Sequence, residues 1–136
     1  MPAFAISLLT PERQVYTGRA VSLVAPGSDG YLGVLAYHAP LVAELTVGKL
    51  SLVEEEGRRR LFALSGGVLE AGGNEVTILA DTAEPAEGID LERAREAQRR
   101  ASERLGQRGE VDVARAQAAL QRALNRLRVA GEGPGS

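Results

Sequence analysis

Two periods of hydrophobicity divide this chain. Between Phe4 and Asp81, short apolar runs, some alternating with polar residues as in Leu50-Ser51-Leu52-Val53 and Val76-Thr77-Ile78, are separated by turn residues. Runs of that length and period predict strands over 4–9, 20–25, 31–35, 49–53, 61–65 and 76–80. The turns are explicit at Gly27-Ser28-Asp29-Gly30, Glu54-Glu55-Glu56-Gly57 and Gly72-Gly73-Asn74-Glu75. Strands recurring at this spacing indicate an antiparallel β-sandwich or barrel. Two consecutive glycines, Gly66 and Gly67, interrupt one strand-like run. They mark a bulge, a tight connection or the close approach of another backbone.

After Thr82 the period lengthens. Leu91, Ala94, Ala97, Ala101 and Leu105 share one helical face, and Val113, Ala116, Leu120, Ala123, Leu124 and Leu127 share a second. Gly106 and Gly109 fall between them, which predicts an α-helical hairpin. The fold class is therefore α+β. The expected division is a sandwich over 1–83, a linker over 84–89, the hairpin over 90–130 and a disordered tail over 131–136. Alanine-rich seams bury little area at roughly 25 cal/mol per Å², so this hairpin is expected to undock at low cost.

Composition narrows the chemistry. The 136 residues include no cysteine and one histidine, His38, which excludes disulfides and leaves few options for a metal. No run of about 18 apolar residues and no basic leader occur, so neither a membrane span nor a secretory signal is expected. Net charge is -2, yet all ten basic residues after Ala83 are arginine, and Lys49 is the one lysine of the chain. Phe62 is the sole aromatic residue after Tyr37, so no stacking platform accompanies the arginines and a nucleic-acid partner is not expected. No nucleophile, phosphate-loop or dinucleotide motif is present, and catalysis is not expected.

Asp90 precedes the first helical run and suits an N-cap; the D-x-x-R-A spacing recurs at Asp112 to Ala116. Arg93 and Arg100 share one helix face, and Arg122 and Arg126 another. Closing the hairpin would let four guanidinium groups converge on a phosphate ligand or an acidic segment; the alternative is a solvated basic face balanced by Glu96 and Glu103.

Gly30-Tyr31-Leu32-Gly33-Val34-Leu35, His38-Ala39-Pro40-Leu41, Ser65-Gly66-Gly67-Val68-Leu69-Glu70, Val76-Thr77-Ile78-Leu79-Ala80-Asp81 and Ala123-Leu124-Asn125-Arg126-Leu127 together resemble, in the same order, the epsilon chain of bacterial F-type ATP synthases. The resemblance covers 4–130. It implies a non-catalytic rotor subunit on the cytoplasmic face of the cell membrane, peripheral to it, coupling proton-driven rotation to ATP synthesis. The implied partners are the gamma subunit, the ring of c subunits and, when the hairpin extends, the catalytic head of alpha and beta subunits. It also implies that ATP, a regulatory ligand, holds the hairpin folded. Ile89-Asp90-Leu91-Glu92-Arg93-Ala94 is similar to the binding motif I-D-x-x-R-A of nucleotide-binding members, and Glu84, Arg100, Arg122 and Arg126 fall at their other contact positions. Tyr31 and His38 fall where relatives face the c-ring, but Tyr31 replaces a commonly acidic residue and Ala36-Tyr37 a Pro-Gly turn. A constitutive coupling subunit with no nucleotide response is the alternative expectation.

Overall fold

A computed structural model describes residues 2–106 and 113–132. The first half forms β1 (Phe4–Leu9), β2 (Gln14–Gly27), β3 (Gly30–Leu35), β4 (Leu41–Glu54), β5 (Arg59–Gly72), β6 (Glu75–Ala80) and β7 (Ala83–Pro85). Antiparallel pairs β1·β2, β2·β4, β4·β5 and β5·β6, with the parallel pair β6·β1, close the sheet on itself. Closure leaves none of these five strands with a free edge along its whole length. β3 lies beside the second half of β2, Leu23 pairing with Val34 on one side and Leu52 on the other.

All six predicted strands are present, but β2, β4 and β5 run to 14 residues each. The apparent breaks are places where a long strand bends or changes partner. β2 shifts register between Ala20 and Ser22 and again between Val24 and Gly27, and it passes from β1 to β3 as it does so. Among the three alternatives for the double glycine, the structure selects close backbone approach: Gly67 has φ +145°, and a Cβ there would lie 2.2 Å from the Leu79 carbonyl oxygen on β6. The turn from β5 to β6 has Gly73 at φ 58° and Asn74 at φ 59°, the paired positive values of a type I′ hairpin.

Alternate residues fill the barrel. Phe4, Ile6, Leu8, Leu23, Leu50, Leu52, Phe62, Leu64, Leu69 and Ile78 form one interior cluster. Residues 61–64, Leu-Phe-Ala-Leu, are apolar without alternation because β5 is covered on both faces there: Phe62 and Leu64 point inward, while Leu61 and Ala63 belong to a second cluster outside the barrel.

The expected linker is ordered. Ser65 N donates to Thr82 O at 3.2 Å and Asp81 N to Gly66 O at 3.0 Å. These bonds carry the β6 register past Asp81 into β7, where Ala63 pairs with Glu84. A 3-10 turn over Ala86–Gly88 follows. A three-residue strand and a single turn are too short to show a period.

Helices α1 (Leu91–Gly106) and α2 (Val113–Glu132) complete the chain, α2 reaching two residues past the expected boundary. Ala94, Ala101, Ala116 and Ala123 are buried along the seam, whereas Leu91, Val113 and Leu124 are exposed. Small side chains, not the larger ones on the expected stripe, make the close contact. Gly109 and Asp112, expected in the interhelical turn and at the second cap, lie outside the described residues, as do 133–136 of the expected tail. Among the described residues no helix is long and apolar enough to cross a membrane.

Candidate functional site

The hairpin docks on the barrel through α2. Val129, fully buried, fills the outer cluster made by Leu61, Ala63 and Ala86, with Ile89 packed against it. Four residues earlier, Asn125 is also buried and donates through Nδ2 to the main-chain oxygens of Gly48 at 2.9 Å and Leu64 at 3.4 Å. Sequence reading missed both contacts, because neither residue falls on the stripe that packs against α1.

Docking creates a cleft of about 340 Å³ where β7, the 3-10 turn and both helices meet, lined by Glu84, Gly88, Ile89, Asp90, Arg93, Ala94, Ala97 and Arg126. Six of the eight expected nucleotide contacts, Glu84, Ile89, Asp90, Arg93, Ala94 and Arg126, share this one cavity. The extended conformation of Ile89, φ −80° and ψ 124°, turns the chain from the 3-10 element into α1. Asp90 then caps that helix, its Oδ1 accepting from Arg93 N at 3.1 Å and its carbonyl from Ala94 N at 3.0 Å. The capping reading of Asp90 thus holds, and the cap sets Arg93 on the cleft wall.

Arg126 donates through Nε to Glu84 Oε1 at 2.5 Å, with each side chain about one-third exposed. Arg122 lines an adjoining narrow crevice with Ser65, Thr82, Glu84 and Arg126, the last two shared with the cleft. Arg100 borders a neighbouring hollow with Asp90, Glu92, Arg93 and Glu96, and donates to Glu96 Oε1 at 3.2 Å. The four arginines therefore do not converge on one cavity. Seven residues of helix separate Arg100 from Arg93 by about 10 Å, and Glu96 holds Arg100 on the outer face. Arg99 also binds Glu96, and it reaches Glu103 at 2.7 Å. The Arg99 hydrogen bond is the main reason the Glu96 carboxyl stays below its ordinary range. The compensation expected from Glu96 and Glu103 thus goes largely to Arg99.

A second polar group sits at the root of the hairpin. Glu54, 8% exposed, accepts from Tyr16 Oη at 2.5 Å, and Arg60 reaches Glu54 at 3.4 Å and Glu87 of the 3-10 turn at 3.5 Å. Arg60 also lies 5.6 Å from the centre of the Tyr16 ring. The Tyr16 hydrogen bond holds the Glu54 carboxyl below its ordinary range. Burial, then that same bond, pushes the Tyr16 hydroxyl far above its ordinary value.

Tyr31 lies on β3, and His38 lies in the loop beyond its end at Leu35. Tyr31, exposed, accepts at its hydroxyl from Lys49 N at 3.1 Å. The exposed His38 ring contacts its neighbour's carbonyl, Nδ1 lying 2.7 Å from Ala39 O. Asn74 fixes that loop by accepting from Tyr37 N at 2.8 Å while donating to Ala3 O at 2.9 Å.

A small closed barrel and a helical hairpin docked on it, with an arginine-walled cleft where the two meet, define a two-part protein of the barrel-plus-hairpin class. Its two parts match two family descriptions in succession: "ATP synthase, Delta/Epsilon chain, beta-sandwich domain" over residues 3–86, and "ATP synthase, Delta/Epsilon chain, long alpha-helix domain" over residues 87–131. The chain belongs to the ATP synthase epsilon chain family. It is 50% identical over 132 residues to the ATP synthase epsilon chain of Moorella thermoacetica, covering 96% of this chain and 98% of that one. Identity to the ATP synthase epsilon chain of Symbiobacterium thermophilum is 45% over 133 residues, 96% of this chain and 95% of that one. Among solved structures, a chain of the Euglena gracilis mitochondrial ATP synthase, OSCP/F1/c-ring in rotational state 1, superposes with TM-score 0.78 at 25% identity, covering 89% of this chain and 78% of its own.

Proposed function

We propose that this chain is a non-catalytic rotor subunit of ATP synthase on the cytoplasmic face of the membrane, coupling proton-driven rotation to ATP synthesis and restraining ATP hydrolysis through an ATP-sensitive hairpin. The cleft at the hairpin root carries the nucleotide part of this reading. Its volume of about 340 Å³ falls within the roughly 300–1,000 Å³ of small-molecule sites. Ile89, Ala94 and Ala97 supply apolar wall for a base, and Glu84 and Asp90 supply carboxylate acceptors. Arg93 and Arg126 supply fork-shaped donors suited to phosphate oxygens. Arg122 and Arg100, on adjoining surfaces, are within a side-chain swing of a triphosphate tail extending out of the cleft.

The cleft exists only while α2 lies on the barrel, because β7 and α2 each contribute one side of the Glu84–Arg126 pair. A ligand bound there stabilises the docked form by its differential affinity, about 2.7 kcal/mol when its concentration is 100 times its Kd. When ATP falls, the hairpin is released to extend along the gamma subunit toward the alpha and beta subunits, where it blocks hydrolysis.

The barrel supports the assembly role. On its outer face Val68 pairs with Leu79, and Val42 is 72% exposed two positions before Glu44, the β4 partner of Val68. An outward apolar group of this kind suits a protein partner, here gamma, with the c-ring below. Hydrolysis by the reconstituted enzyme at low and high ATP tests the reading: Arg122→Ala with Arg126→Ala should remove the ATP-dependent relief of inhibition. An unchanged ATP dependence would instead support the constitutive coupling subunit.

A further inference from the structure

Asn125 is 4% exposed at the interface between α2 and the barrel, and both of its acceptors are main-chain carbonyls. Only the NH2 end of the amide can face two carbonyl oxygens, so chemistry fixes its orientation. Gly48 and Leu64 are register partners on β4 and β5. Leu64 points into the barrel, and a Cβ on Gly48 would collide with Pro26 Cβ at 2.4 Å. The outer surface over this pair is bare main chain, a polar spot beside the apolar cluster of Leu61, Ala63 and Val129. A helix lying there needs a donor at that one place.

The other contacts of α2 with the barrel are the apolar seat of Val129 and the part-exposed Arg126–Glu84 pair, neither of which demands a donor at one place. The seam of Ala94, Ala101, Ala116 and Ala123 joins α1 to α2 and leaves the placement of the pair on the barrel to the contacts of α2. Sliding α2 by one turn would put Gln121 or Val129 over the carbonyl pair and carry Arg126 about 5.4 Å from Glu84. A buried amide on an apolar interface is a known means of choosing one register among several of similar packing energy. Arg126 is the next residue along the helix, so the rotation that seats Asn125 also turns Arg126 toward Glu84.

We infer that Asn125 is the register pin of the hairpin: its amide, seated on the Gly48 and Leu64 carbonyls, selects the single placement of α2 that puts Arg126 in the cleft. It is a positioning residue. Its consequence for nucleotide rests on the ATP reading above, whereas its role in docking does not.

The test uses the full chain without nucleotide, spin-labelled at the exposed positions Glu56 and Arg128, with barrel amide signals as the control for folding. The unsubstituted chain should give one label separation from pH 5 to pH 8. Asn125→Leu, similar in size but without a donor, should add a second separation displaced by about one turn, 5.4 Å. Asn125→Asp sets an acceptor against two acceptors, so the docked separation should vanish at pH 8 and return on acidification, when the carboxyl gains an O–H to donate. The charged groups lining the adjoining crevice are Glu84, Arg122 and Arg126. ATP titrated into Asn125→Asp should bind at least tenfold more weakly at pH 8 than at pH 5. One unshifted separation in both variants at pH 8 would overturn the pin. Absence of ATP binding by the unsubstituted chain would refute the nucleotide reading alone, since the separations still judge the pin.

Discussion

Arg126 and Glu84 lie 42 positions apart in the chain, yet their side chains meet at 2.5 Å, joining the last helix to the last strand of the barrel. The pair marks where the hairpin rests on the barrel. Each side chain is about one-third exposed, so screening limits its worth to about 0.2–1 kcal/mol. Glu84→Gln should therefore leave the melting of the barrel unchanged and shift hairpin docking by no more than this amount, read from hydrogen exchange of α2 amides.

Val129 supplies the apolar side of the same contact, fully buried against Leu61, Ala63 and Ala86. Val129→Ala removes two methylene-sized groups at about 0.8 kcal/mol each, plus a residual cavity. Docking should weaken by about 2 kcal/mol. The expected signature is faster exchange throughout α2 with unaltered protection in β1, β5 and β6; uniform loss of protection would show that hairpin and barrel unfold as one unit.

Acid should weaken the barrel through Glu54. Its carboxyl sits below the ordinary range in the folded chain, so the unfolded chain binds more protons as pH falls. The stabilisation is fully present above the ordinary glutamate range near 4.3 and is lost as pH drops through the lower folded value. Tyr16 has the opposite sign: its raised value keeps its contribution intact below about 10 and removes it only as pH rises through the folded value. Tyr16→Phe should cost about 1–2 kcal/mol at pH 7 and make the acid limb of the urea midpoint shallower, because the bond that most lowers the folded Glu54 value is gone.

Gly67 leaves no room for a side chain. With φ at +145° and the Leu79 carbonyl 2.2 Å from a built Cβ, Gly67→Ala combines strain with a backbone clash. A loss of at least about 2 kcal/mol is expected. Gly57 at φ +97° has open space around it, so Gly57→Ala should cost strain alone. Equal denaturant midpoints for the two variants would contradict the close approach of β6.

Much of this architecture is legible in the residues. Period-two runs locate all six principal strands, and the change of period after Thr82 locates the hairpin. What the sequence hides are features without a period: β7, three residues long, is recognisable only because β5 offers it a partner. Strand lengths were hidden too, since glycines that read as breaks lie inside long bent strands. At the site, Asp90 follows from helix-cap chemistry, Arg93 and Arg126 from their helix faces, and Glu84 and Ile89 from family motifs. Asn125 had a faint signal, a poor helix former within an Ala-Leu-Asn-Arg-Leu run, but its meaning depends on carbonyls 61 and 77 positions away. Arg100 borders a neighbouring hollow instead of the cleft, because a shared helix face does not ensure a shared cavity two turns apart.

Calorimetry of the isolated chain with ATP tests the central claim most directly, using Arg126→Ala and Arg93→Ala as comparisons. Saturable heat of binding to the unsubstituted chain, with affinity reduced about tenfold or more by either substitution, about 1.4 kcal/mol or more, is the result expected of a nucleotide site at the hairpin root. No binding heat, or binding of equal affinity in all three chains, would contradict it.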